Sequence, residues 1–162
     1  MRSDEPIPFD RLDRSAFVPI RPGTAWGKKM DCAWLRVSGE VPAGAVGAVV
    51  LLGIRGEGLV YSPDGEVLDS VSTVWQQADL PHSGGRYRPL QNLDTSAGTI
   101  EFYADVAFNG TLLYEYGNAV YHGARIAARE DEAFARYYDY LTLLVLDGST
   151  EDAPLESDFR RA

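Results

Sequence analysis

Gly56-Glu57-Gly58-Leu59-Val60-Tyr61-Ser62-Pro63-Asp64-Gly65-Glu66-Val67 is the stretch whose reading decides the fold. Leu59, Val60 and Tyr61 favour a pleated backbone. Ser62-Pro63-Asp64-Gly65 then supplies proline, which presets φ, and glycine, which accepts the left-handed position. The run predicts a strand, a tight turn and a second strand, a hairpin spanning residues 57–70. On its N-terminal side, residues 31–38 alternate, with Cys32, Trp34 and Arg36 facing one way and Ala33, Leu35 and Val37 the other. Pro42-Ala43-Gly44 turns the chain, and residues 46–54 form a nearly continuous apolar run, the pattern of a strand covered on both faces. On the C-terminal side, residues 99–107 set Ile100, Phe102, Ala104 and Val106 against Thr99, Glu101, Tyr103 and Asp105. Asn109-Gly110 follows as a turn signal, and residues 119–128 read as one further strand.

The final element has another period. Phe134, Tyr137, Tyr138, Leu141, Leu144 and Val145 recur at intervals of three and four, with Asp131 and Glu132 in the first turn and Gly148 as a stop. Many short strands followed by one helix predict a mainly β chain: a two-sheet antiparallel β-sandwich with a C-terminal α-helix. The layout is an extended lead-in over residues 1–25, rich in proline, and a sandwich over 26–129. An amphipathic helix over 131–147, which caps the sandwich or connects it to another domain, is followed by a charged tail over 148–162. Val18 and Ile20 are expected to pack from the lead-in onto the sandwich.

Length and charge narrow the function. A chain of 162 residues suits one domain with a substantial core. The net charge of −9, with basic residues scattered, disfavours nucleic acid and anionic membrane surfaces as partners. Cys32 is the only cysteine, so no intramolecular disulfide is available, and a small buried thiol is the expectation there. The first ten residues contain no apolar core of a secretory signal, and no stretch approaches the roughly 18 apolar residues of a membrane span. A cytoplasmic location is the expectation.

No catalytic residue is assigned. His82 and His122 stand forty residues apart outside any metal-binding spacing, so no metal site is expected in this chain. The glycines of residues 53–58 lack the lysine and helix of a phosphate loop, and a Gly-x-Ser-x-Gly elbow is missing. Asp105, within an apolar strand, is the carboxylate to inspect. It is either one half of an acid pair or, the favoured reading, a buried carboxylate satisfying a neighbouring turn. Flat sugar faces stack on aromatic rings, which makes Trp75, Tyr61, Tyr87 and Tyr103 the sugar-binding candidates, with core or interdomain packing the favoured alternative for each. Phe134, Tyr138 and Leu141 form the candidate face for another domain or partner. The loop Pro81-His82-Ser83-Gly84-Gly85 is a candidate for mobility.

The ordered set of motifs also resembles a family. Pro22-Gly23-Thr24-Ala25-Trp26-Gly27, a strand carrying Trp34, Gly56-Glu57-Gly58-Leu59-Val60-Tyr61 with its turn, Asp105-Val106-Ala107-Phe108-Asn109-Gly110, and a helix with Tyr137-Tyr138-Asp139 come in the order of the N-terminal β-sandwich domain of glycoside hydrolase family 38, the α-mannosidases. The likeness spans about residues 22–147. It implies a jelly-roll, galactose-binding-like sandwich placed before a catalytic domain that opens with a His-x-His-x-Asp motif and binds zinc. No such motif occurs here, and the expectation is that the chain stops before that domain begins. The resemblance thus implies a non-catalytic accessory domain whose parent is a retaining, metal-dependent α-mannosidase. Its implied partners are the catalytic domain of the same polypeptide, a glycan, or further copies through the parent. The alternative is a stand-alone carbohydrate-binding module of the galactose-binding-like type.

Overall fold

Alternation in the sequence becomes two sheets in the computed structural model, which describes residues 1–3, 5–72, 87–109 and 118–149. The chain divides into two units, Met1–Ala127 and Ala128–Ala162. In the first, nine strands lie among the described residues: β1 (Arg2–Ser3), β2 (Ala25–Gly27), β3 (Cys32–Glu40), β4 (Ala48–Ile54), β5 (Glu57–Tyr61), β6 (Val67–Ser72), β7 (Arg88–Leu90), β8 (Thr99–Ala107) and β9 (Ala119–Ala128). They form a five-stranded sheet in the order β1-β3-β8-β5-β6 and a four-stranded sheet in the order β2-β9-β4-β7. This is the expected antiparallel sandwich.

The axis of the larger sheet is the β3–β8 ladder, nine unbroken pairs from Cys32↔Ala107 to Glu40↔Thr99. A period of two sends Ile100, Phe102, Ala104 and Val106 of β8 inward, with Ala33 and Leu35 of β3. They meet Val50, Leu52 and Ile54 of β4, together with Trp26, Val60 and Leu90, in one apolar core. Fully burying one such large aliphatic side chain contributes about 1.5–3 kcal/mol.

The predicted hairpin is β5–β6. Its turn is closed by a bond from the Ser62 amide to the Glu66 carbonyl (2.8 Å), and the Ser62 hydroxyl accepts from the amides of Asp64 and Glu66. Gly65 has the left-handed backbone the turn requires, φ +91°. On the opposite edge β5 pairs with β8, and Gly56 and Gly58 press against its backbone. A Cβ on Gly58 would lie 2.0 Å from the Asp105 carbonyl oxygen, and one on Gly56 2.6 Å from that of Ala107. The Gly56-Glu57-Gly58 motif is therefore a steric condition for joining the hairpin to the sheet.

Three expectations need correction. Val46 is 87% exposed and the strand begins at Ala48, because Gly44 and Gly47 hold positive φ and keep the preceding residues in turns. Ile20 packs against the core as expected, whereas Val18 is 74% exposed. The lead-in is only partly extended: it forms 3-10 turns at Phe9–Arg11 and Arg14–Ala16, the second capped by the Asp13 carboxylate accepting from the Ser15 amide.

The second unit contains α1, Asp131–Ser149. Arg129 pairs with Asp131 ahead of it, and Glu132 pairs with Arg136 one turn on. The helix runs through Gly148 rather than stopping there, a difference within the ordinary fraying of a helix end. The Pro81–Gly85 loop and the tail beyond Ser149 lie outside the described residues.

The two glycine environments separate in a stability measurement. Gly58→Ala is expected to cost about 3 kcal/mol or more, since strand backbones must part. Gly98→Ala, with φ +76° and nothing within 4 Å, is expected to cost about 1 kcal/mol. Equal midpoint losses in urea would contradict the close approach of β5 to β8.

Candidate functional site

The outer face of the five-stranded sheet gathers most of the chemically interesting side chains. The register sets Trp34, Asp105 and Leu59 side by side, and Arg36, Tyr103 and Tyr61 in the next row. Over this surface the lead-in lays Phe9 and Phe17. Phe9 stacks on Tyr61 (centroids 5.6 Å, 21°) and meets Trp34 and Tyr103 edge-on, while Phe17 meets Tyr103 at 5.9 Å. Arg14 places its guanidinium 5.7 Å from the Phe9 ring centre and 5.2 Å from that of Tyr103, and donates to the Pro63 carbonyl at 3.0 Å. The Trp34 indole donates to the Ile7 carbonyl at 2.8 Å. The lead-in is thereby fastened at both a strand and the hairpin turn.

Two of the four sugar-binding candidates, Tyr61 and Tyr103, are brought together in this cluster. Tyr103 is 1% exposed and donates to Glu101 at 3.3 Å; Tyr61 is half-buried between Phe9 and Trp34. Their rings serve to hold the lead-in. Tyr87 lies on the other sheet, where its ring occupies the space a Gly53 side chain would need. Its hydroxyl donates to the His122 carbonyl at 2.8 Å, and the Arg125 guanidinium sits 4.5 Å from its ring centre. Trp75 and His82 lie outside the described residues. Of the partner-face candidates, Phe134 and Tyr138 contact each other at 4.8 Å on α1; Tyr138 is 47% exposed, whereas Leu141 is half-buried.

The electrostatics divide the outer face into a satisfied part and an unsatisfied one. Arg36 bonds Glu101 at 2.9 Å, and that hydrogen bond is the main reason the Glu101 carboxyl titrates below the usual range. Asp31 is tied to Arg2 at 2.7 Å and accepts from the Lys28 amide. Asp105 differs. Among the described residues no hydrogen bond or ion pair reaches its half-buried carboxylate, and burial raises its pKa above the ordinary aspartate value. It does not satisfy a turn, as the favoured reading of the sequence had it. Its charge acts on its neighbours: the Cys32 thiol and the Tyr61 hydroxyl are pushed up by burial first and by Asp105 second. Cys32 is accordingly a poor nucleophile.

Among the described residues no three of His, Cys, Asp and Glu converge to hold a metal ion, so these residues do not fit a zinc site. No helix among them is long and apolar enough to cross a membrane. Sequence reasoning missed the role of Phe9, Arg14 and Phe17. They follow no period of 2 or 3.6, and their only signal is aromatic and basic residues dispersed in a proline-rich lead-in.

Comparison with known proteins adds one match. A family model described as "Alpha-mannosidase, jelly roll domain" matches residues 1–128. No curated protein matches the chain. The matched span ends at residue 128, one residue past the end of the first structural unit at Ala127.

The isolated charge of Asp105 has a signed consequence. Its folded-state pKa is raised, so the site costs nothing at a pH below the unfolded value, and stability is lost as pH rises through the folded one. Asp105→Asn is therefore expected to leave stability at pH 3 nearly unchanged. At pH 7 it should raise stability by up to about 1 kcal/mol, a gain limited because water partly screens a half-exposed carboxylate. Thermal melts at both pH values check this; destabilisation at pH 7 would reveal a partner that the carboxylate needs.

Proposed function

The chain belongs to the alpha-mannosidase jelly roll domain family, and from that membership we propose that it is the non-catalytic accessory domain of an α-mannosidase, supporting and orienting a catalytic domain on the same polypeptide. The observation that carries the reading is the family match across the whole sandwich. The second unit supports it. α1 begins just past the matched span and presents Tyr138, Tyr140 and Leu144 as exposed large apolar side chains, the last 65% exposed. Such a surface suits contact with a further domain.

On this reading the chemistry of the parent, hydrolysis of an α-mannosidic bond with retention, resides in the catalytic domain. The zinc that the family resemblance implies is assigned to that domain as well. The sandwich contributes stability, orientation, and a wall of the cleft or an oligomer contact. Cytoplasmic residence accompanies this proposal.

Two measurements test it. An antibody raised against this chain should detect, in source cells, a band far above 17.8 kDa. Residues 1–162 alone should show no turnover of 4-nitrophenyl α-mannoside, while the full-length polypeptide does. Turnover by residues 1–162 that disappears in Asp105→Asn would overturn the assignment.

A further inference from the structure

A cavity of about 750 Å³ opens along the free edge of β3, lined entirely by residues of the first unit. The ladder explains why this edge is chemically unfinished. Trp34 exchanges both backbone bonds with Met1, its amide donating at 2.7 Å and its carbonyl accepting at 2.8 Å. In an antiparallel strand every second residue turns its N–H and C=O to the same side, so Arg36 and Ser38 point theirs the way Trp34 does, away from β8. β1 pairs only with the start of β3, and among the described residues no strand continues along the edge beyond Trp34. The cavity follows the strand from Ala33 to Ser38, so it runs from the residues paired with β1 onto this open stretch. Two successive ladder positions are thus presented, in register, to an open space.

The walls specify the occupant further. Phe17, Ile20 and Trp26 contribute apolar surface. Arg2 and Arg36 contribute positive charge, and no aspartate or glutamate lines the cavity although the chain as a whole carries −9. Both arginines are about half exposed despite their pairing with Asp31 and Glu101. A residue set opposite Arg36 would share its face of the sheet, and residues opposite Leu35 and Val37 would face the apolar side.

We propose that this edge is a docking site for an extended segment of a partner protein, which adds as a strand beside β3 and carries an acidic residue, flanked by two apolar ones, opposite Arg36. Backbone bonds to Arg36 and Ser38 supply affinity, and the alternating side chains supply selectivity. The site shares no residue with the exposed stripe of α1 and does not depend on the parent's activity.

The test uses the full 162-residue chain, isotopically labelled, and two capped tetrapeptides, Thr-Val-Glu-Val and Thr-Val-Lys-Val, which span the positions opposite Ser38 to Leu35 and stop short of Met1. In the free protein the Arg36 and Ser38 amides should exchange with solvent much faster than those of Leu35 and Val37. The glutamate peptide should saturably shift and protect the Arg36 and Ser38 amides, and the lysine peptide should bind at least tenfold more weakly. Arg36→Glu should invert that preference. Ser38→Pro, which deletes an outward N–H, should weaken both peptides while the Leu35 and Val37 amides stay protected. Slow exchange at Arg36 and Ser38 in the free chain would mean that the edge is already covered, and would overturn the proposal. So would equal binding of the two peptides, or no shift at millimolar glutamate peptide.

Discussion

Covering both faces of β8 is the constraint on which the rest of this fold depends. Its inner side chains, Ile100, Phe102, Ala104 and Val106, need the opposing sheet. Its outer side chain Tyr103 is as fully covered, and among the described residues no second sheet lies on that side. The lead-in supplies the cover: Phe9 and Phe17 close over Tyr103, and Arg14 bridges two rings and the hairpin turn. The proline-rich segment is thus a third layer over part of the sheet. It holds because Trp34 and Pro63 give it fixed hydrogen-bond partners. Gly65 serves the same arrangement twice, once through its positive φ and once by leaving room for Phe9, whose ring a side chain there would meet at 2.8 Å.

Next to this well-satisfied layer, Asp105 is the exception. Neutral asparagine would fit the same space without the cost of a half-buried charge. The carboxylate leans on no partner among the described residues, and it makes two neighbouring groups, Cys32 and Tyr61, harder to ionise. Asp105 neighbours Trp34 and Tyr61 but does not itself line the cavity along β3, which Trp34 borders and whose positive walls have the opposite electrostatic character.

The legible parts of the sequence were those with a strict period and a local cause. Alternation in residues 31–38 and 99–107 placed β3 and β8 with the correct faces, and Pro63 and Gly65 marked the hairpin turn. The three-and-four spacing from Phe134 to Val145 marked α1. Less legible was anything decided by distant contact. Trp34 and Tyr103 face away from the sandwich core, so their burial depends on a segment whose own residues show no periodic pattern. Val46 extended an apolar run in the sequence, yet Gly47 keeps it out of the strand. Tyr61, Tyr87 and Tyr103 were identifiable as aromatic residues worth attention, but only the register and the lead-in show that two meet and the third lies on the other sheet.

The β3–β8 ladder also governs the order in which this chain can be built. Its members are far apart in sequence: Arg36 and Glu101, which bond across it, are separated by 65 positions. Closing so long a loop costs entropy before any pair rewards it, so topologies of this kind fold in milliseconds to seconds rather than microseconds. At a synthesis rate of roughly 5–20 residues per second, β3 waits several seconds for its partner to be made. During that interval the early strands carry unpaired edges and an uncovered Trp34. The short, proline-punctuated lead-in and the glycines of Gly56-Glu57-Gly58 then have a kinetic meaning as well as a steric one, since each interrupts a run that could otherwise pair with a neighbouring nascent chain.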